Sequence, residues 1–353
     1  MKKLKYLILG IVILLVIARL LAPSLILKKL NQTLATMEGP FCGQLADLDL
    51  ALIRGAYQLE GLELRRWSAD RSRCDERILG VKIMDISLSW SQLFRGKARL
   101  KVEAEEPEIM INSLIDALSG GRNTRQEAKE GAEESWDALI PWRIDALRIA
   151  RGKAVYQLFG DGGITAPLEN IEAEATGIET GNSSGQPILF RAKANAFGDS
   201  PLLVAGSVAL SEKTRWDADF SVRDLNLQKT NPFLYNRLPM TFTTGSLSIY
   251  GEGAGRGAEL EGYTRLLFSK IDVVSSKEKW KNFGQGVIEL VSSLFFTLVE
   301  NTKRENVATE IVFRTKNGAM DIDWAGALAR AIENSGGKPV PAGIDNRLEL
   351  PKE

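Results

Sequence analysis

Hydrophobic residues recur along this chain at three spacings, and each spacing predicts a different element. From Leu4 to Leu27 they are nearly continuous, and the run from Tyr6 to Ala18 carries no charged side chain. A bilayer core needs ~20 mainly apolar residues at ~1.5 Å each. The run reaches that length if the long stem of Arg19 carries its charge out to the far interface. Lys2, Lys3 and Lys5 precede it, and Lys28 and Lys29 follow. This pattern predicts a single-pass transmembrane helix with a cytoplasmic N-terminus. A cleaved signal peptide is the competing reading. No small-x-small site closes the run, since Leu20 stands two residues before Ala22 and Pro23 directly after it. Leu27, Leu30 and Leu34 then keep helical spacing among Lys28, Lys29 and Gln32. They predict a helix that leaves the membrane and lies along its surface, ended by Glu38-Gly39-Pro40.

From Ala46 the spacing drops to two. Leu48, Leu50 and Leu52 alternate with Asp47, Asp49 and Ala51, Arg54-Gly55 turns the chain, and Leu62 and Leu64 follow. Met84, Ile86, Leu88 and Trp90 fall on one face of the next segment, with Asp85, Ser87 and Ser89 on the other. A short turn is predicted over 91–96, after which Leu100 and Val102 resume the alternation. These are strands with one apolar and one polar face. Residues 119–135 break the composition with glycine and mixed charge, and read as an exposed linker or loop. Beyond Trp136, Arg151-Gly152 followed by Tyr156-Gln157-Leu158 echoes Arg54-Gly55 followed by Tyr57-Gln58-Leu59. The echo suggests a repeated hairpin, with coincidence as the alternative.

Further strands are predicted at 171–175, 188–197, 202–210, 216–222, 246–250, 260–268 and 271–275. Gly198-Asp199-Ser200-Pro201 and Gly251-Glu252-Gly253-Ala254-Gly255 read as turns. Between 283 and 300, Phe283, Val287, Leu290, Val291, Leu294, Phe295 and Leu298 recur at helical spacing opposite Gln285, Glu289, Ser292 and Ser293. This helix is expected to pack on the sheet; a membrane surface and a partner protein are its other outlets. Strands over 307–313 and 320–324, a helix over 325–334 and a tail from Gly336 complete the chain. The expected fold is mainly β with a few helices. An N-terminal transmembrane helix leads into an elongated, curved antiparallel sheet, an open half-barrel or groove, on which the C-terminal helix packs. The expected divisions are 1–35 (anchor and juxtamembrane helix), 36–118 (first β module), 119–135 (linker), 136–335 (groove domain) and 336–353 (tail).

Composition narrows the chemistry. The 353 residues carry 45 basic and 45 acidic side chains, dispersed along the chain, so nucleic acid is not an expected partner. There is no histidine, which removes the commonest general base and the commonest transition-metal ligand. Asp47/Asp49 and Asp321/Asp323 could share a face as paired carboxylates, but any polar sheet face looks the same. The 251–255 glycine cluster lacks the Lys-Ser/Thr of a phosphate loop. No catalytic residue, metal site or cofactor is expected, and the chain does not read as an enzyme. Cys42 and Cys74 are the two cysteines. In an oxidising compartment they can pair, and two partly buried free thiols are the alternative.

Several stretches resemble the AsmA-like group of Gram-negative envelope proteins, in a branch known as a domain of unknown function. The resemblance lies in the lysine-flanked anchor, Ala-Asp-Leu-Asp-Leu-Ala-Leu-Ile-Arg-Gly-Ala-Tyr-Gln-Leu-Glu-Gly-Leu-Glu-Leu over 46–64, and Ile-Ser-Leu-Ser-Trp-Ser-Gln-Leu-Phe-Arg-Gly-Lys over 86–97. Val-Glu-Ala-Glu-Glu-Pro-Glu-Ile over 102–109 and Asp-Trp-Ala-Gly-Ala-Leu-Ala-Arg-Ala-Ile-Glu-Asn over 323–334 extend it. It implies an inner-membrane, single-pass protein with its bulk in the periplasm. Longer members of the group are implicated in moving phospholipid along a β-lined apolar groove. The expected function is therefore lipid handling or transport and envelope integrity, with phospholipid acyl chains and an envelope protein as partners. A non-enzymatic assembly factor for outer-membrane proteins is the alternative. The groove candidates are Met84, Ile86, Leu88 and Trp90 on the strand, and Val287, Leu290, Val291, Leu294, Phe295 and Leu298 on the late helix.

Overall fold

The period-two segments become strands in a computed structural model that describes residues 22–36, 40–51, 55–68, 73–114, 142–157, 165–179, 186–210, 214–234, 240–275, 306–316, 319–323, 326–327, 329–330 and 340–351. The chain divides into two units, Met1–Tyr156 with Glu174–Gly181, and Gln157–Ala173 with Asn182–Glu353.

In the first unit, helix α1 (residues 22–35) precedes β1 (Phe41–Gln44), β2 (Asp47–Ala51), β3 (Ala56–Trp67) and β4 (Cys74–Leu88). The short helix α2 (Trp90–Leu93) leads to β5 (Ala98–Glu105), β6 (Glu108–Met110) and β7 (Trp142–Gln157). The strands lie in the order β1-β3-β4-β5-β7, with β2 beside β3. The β2–β3 hairpin closes at Ala51 opposite Ala56. Gly55 makes its turn at a φ of 65°, where a Cβ would meet the Leu88 carbonyl at 2.3 Å. The sheet is not purely antiparallel, because β7 runs parallel to β5 and β6. The sequence between Met110 and Trp142 supplies far more than the dozen or so residues a parallel crossover needs. The expected hairpin repeat is absent: Arg151-Gly152 lies inside continuous β7. There Arg151 (φ 53°) faces the break at Glu106 (φ 49°), where β5 gives way to β6. Lys153 N–H donates to the Pro107 carbonyl (2.7 Å) and Glu106 N–H to that of Ala150 (2.9 Å) across this kink.

Helix α1 forms where leucine spacing predicts a helix, but its apolar stripe is taken by the sheet. Ala22, Leu27, Leu30 and Leu34 pack on buried Leu45, Leu48 and Leu50, so this face does not lie on a membrane surface. Asn31 locks the helix down by donating to the Leu45 carbonyl (2.9 Å) and accepting the Leu45 N–H (2.6 Å). Cys42 and Cys74 are joined in a disulfide spanning 32 positions, a loop whose closure removes about 3–4 kcal/mol of unfolded-chain entropy. Among the described residues no helix is long and apolar enough to cross a membrane. Most of the predicted span, the 119–135 linker and the 283–300 helix with Val287, Leu290, Val291, Leu294, Phe295 and Leu298 lie outside the described residues.

Strand β8 (Thr165–Thr176) belongs to the second unit up to Ala173 and to the first from Glu174, and the second unit continues in the order β10 (Ile188–Ala196), β11 (Ser200–Ala209), β12 (Arg215–Asn226), β13 (Met240–Arg256), β14 (Glu259–Ser275), β15 (Asn306–Lys316) and β16 (Ala319–Ile322). The two-residue β9 (Ile178–Glu179) belongs with β7 in the first unit. From β10 to β16 each neighbouring pair is antiparallel. The predicted strands 260–268 and 271–275 are one strand, kinked at Lys270 (φ 51°). Gly251–Gly255 is not a turn but a buried run of β13 just before its end at Arg256. Of the helix predicted over 325–334, residues 326–327 and 329–330 are helical, and the Asp323 carboxylate caps the Gly326 N–H at 2.9 Å.

Candidate functional site

Strand pairing brings three of the four strand-borne groove candidates into a continuous apolar face. Met84 sits between Leu59 and Ala104, Ile86 between Tyr57 and Val102, and Leu88 beside Leu100. Strand β7 extends the rows with Ile144, Leu147 and Ile149. The reverse face carries Gln58, Asp85, Glu103 and Arg148 in register. Gln58 donates to Asp85 at 3.1 Å, and Arg148 pairs with Glu174 at 3.2 Å. One side of the sheet is therefore polar and self-paired, and the other greasy.

Cover over the greasy side is uneven. Helix α1 covers the buried Leu45, Leu48 and Leu50, against which Tyr57, Leu59 and Leu62 of β3 also pack. Gly61, at a φ of 63°, rotates the strand so that Leu62 joins the same cluster as Leu59. Beyond β3 the face continues, but Met84, Ile86, Leu88, Val102, Leu147 and Ile149 are each only half-buried. Trp90 is not part of this row. Strand β4 ends at Leu88, and Trp90 opens α2, where its indole lies against Gly55 and its ring stacks on Phe94 at 6.2 Å. Schellman-type bonds end that turn, from Gly96 N–H to Leu93 (2.9 Å) and from Lys97 N–H to Gln92 (3.0 Å), with Gly96 at a φ of 74°.

The second unit builds its apolar face differently. Aromatic rings lie over glycines of the neighbouring strand. A Cβ on Gly206 would come within 2.8 Å of the Phe190 ring, one on Gly251 within 2.4 Å of Phe220, and one on Gly262 within 2.4 Å of Phe313. Gly255 stands in the same relation to Trp216 at 2.7 Å. The glycines that composition assigns to a turn are what let these rings lie flat. Rings replace the packing that glycine lacks, which is how a strand so rich in it stays in the sheet.

The opposite face of that unit holds a buried charge cluster with no signal in sequence spacing. Glu252, fully buried, accepts the backbone N–H groups of Asn346 (2.5 Å), Arg347 (2.7 Å) and Leu348 (3.1 Å), and the Tyr263 hydroxyl. Burial alone would push its carboxyl up, but the bonds from Tyr263 and the three amides outweigh it and hold it below the usual range. Burial, followed by the bond to Glu252, pushes the Tyr263 phenol up to about 12. Arg265 reaches Glu310 at 2.7 Å and Asp345 at 2.7 and 2.5 Å, and donates to the Gly343 carbonyl at 3.2 Å. These bonds strap 340–351, expected only as a tail, across the polar face. The carboxylates of Glu252, Glu310 and Asp345 are each met by donors, so these three act as a clamp on the C-terminal segment.

Among the described residues no group of three or more acidic, cysteine or histidine side chains could hold a metal. The members of the apolar face that sequence spacing did not single out, Tyr57, Leu59, Leu147 and Ile149, carry the same period-two signal as Met84 and Ile86. What such an arrangement can do is shelter hydrocarbon, at ~0.8 kcal/mol per methylene removed from water. No protein-family model matches the chain, and no curated protein matches it.

Proposed function

We propose that this chain is an envelope protein tethered to the inner membrane, whose apolar sheet face takes up phospholipid acyl chains and so serves lipid handling or transport. The supporting observation is the Leu59–Met84–Ala104 and Tyr57–Ile86–Val102 rows, in which Met84, Ile86 and Val102, beyond β3, are only half-buried. The anchor, the periplasmic setting and the lipid cargo come from the lysine-flanked apolar N-terminus and the AsmA-like resemblance.

The test is native mass spectrometry of the full-length protein extracted in mild detergent. The wild type should carry phospholipid. Leu88→Asp, which places a charge on the face without touching the Glu252 clamp, should lose most of it while staying in the membrane fraction. Unchanged lipid in the variant removes Leu88 from the binding face. Protein partners trapped in place of lipid would favour an assembly role instead.

A further inference from the structure

The direction of α1 fixes which end of the first unit faces the chain's N-terminal apolar run. Leu34 lies beside Gly43, and Asn31 is bonded to Leu45, so the helix runs back along β1 and β2 as its residue number falls. From Asn31 to Ala22 it travels about 13 Å, roughly the length of four strand residues. Ala22 therefore comes level with the end of β2, and it packs on the Leu45–Leu48–Leu50 cluster. The α2 turn is at that same end. Gly55 touches the Trp90 indole, and Leu88 N–H donates to the Gly55 carbonyl at 2.6 Å.

That end carries the side chains a bilayer interface selects. Phe94, at the tip of the turn, is 85% exposed, and Leu25 on the outward side of α1 is 65% exposed. Arg95 and Lys97 follow Phe94, both exposed, and the 89–97 segment contains no acidic residue. An aromatic pair with adjacent cations matches the headgroup layer, where rings sit among the upper methylenes and cations meet lipid phosphate. At the other end of β3 the cations are paired, Arg66 with Glu76 at 3.2 Å and Arg73 with Asp75 at 2.6 Å.

We propose that the Trp90–Lys97 turn is a membrane-seating element: Phe94 inserts into the headgroup layer of the bilayer that anchors the chain, and Arg95 and Lys97 bind lipid phosphate. The first unit then stands with the β2–β3 hairpin end toward the membrane, and its apolar face begins at the lipid surface. The inference rests on the anchoring reading above.

The test uses full-length protein with Phe94→Cys, labelled with an environment-sensitive nitrobenzoxadiazole dye. The Cys42–Cys74 disulfide leaves the new thiol as the free one. The protein is reconstituted in phosphatidylethanolamine–phosphatidylglycerol vesicles with and without spin-labelled acyl chains. The same dye at Thr36→Cys, exposed at the other end of α1, is the reference. The dye at 94 should shift to the blue and lose most of its emission to the spin label, while the dye at 36 should keep its emission. Equal, water-like emission at both positions overturns the proposal, and so does quenching at both, which would mean that the helix lies along the membrane. Flotation separates the two readings. Vesicles that carry the protein with an unquenched dye at 94 sink the seating element alone. Protein that fails to float sinks the anchor as well.

Discussion

Glu252 shows how a single side chain can fix a segment that the sequence leaves shapeless. Its carboxylate is the common acceptor for three successive amides of the C-terminal stretch and for Tyr263. Bonds to a buried charge are each worth about 1.5–3 kcal/mol. Glu252→Gln, which keeps the shape and loses the charge, should release residues 346–348 and speed hydrogen exchange at their amides, with the first unit unaffected. Unchanged protection there would show that the strap holds without the carboxylate. The same cluster sets a pH dependence. Because the folded carboxyl lies below its ordinary value, its contribution is whole above the usual carboxylate range and is lost as pH falls through the lowered value. Tyr263, raised to about 12, works in the other direction: its contribution is whole below the ordinary phenol value of about 10 and disappears as pH rises toward about 12. None of this was legible in the sequence. The three amides bound by Glu252 lie 94 to 96 positions away, and a glutamate between glycines looks like a turn.

At the scale of elements, the strands were legible wherever one face is greasy and the other polar. Leu48 and Leu50, then Met84, Ile86 and Leu88, announce β2 and β4 with their orientation. Legibility failed where a strand takes its apolar surface from its neighbours. Composition argues against a strand at Gly251–Gly255, and the Phe220 and Trp216 rings, delivered from β12, supply the packing that makes it one. Trp90 failed in the opposite sense, matching the alternation by number while the chain had already turned into α2. The ring-on-glycine packing can be tested directly. A side chain on Gly206 would meet the Asp217 carbonyl at 2.2 Å as well as the Phe190 ring, so Gly206→Val should cost about 1–3 kcal/mol. The measurement is a lower urea midpoint followed by circular dichroism, and a midpoint equal to the wild type's would refute the close packing.

At the scale of the whole molecule, the question is what covers the apolar face of the first unit beyond β3. An uncovered face of that kind would drive association between copies, so it needs an occupant. Lipid is the occupant we propose; the competing occupant is the chain's own apolar 283–300 stretch. The most direct measurement places a photoreactive benzoylphenylalanine at Ile86 in the full-length membrane-bound protein, with Glu103 on the polar face as control, and identifies the adduct by mass spectrometry. Phospholipid attached at 86 and not at 103 is the expected result. A crosslink from 86 only to the chain's own residues, with no lipid at either position, would contradict it.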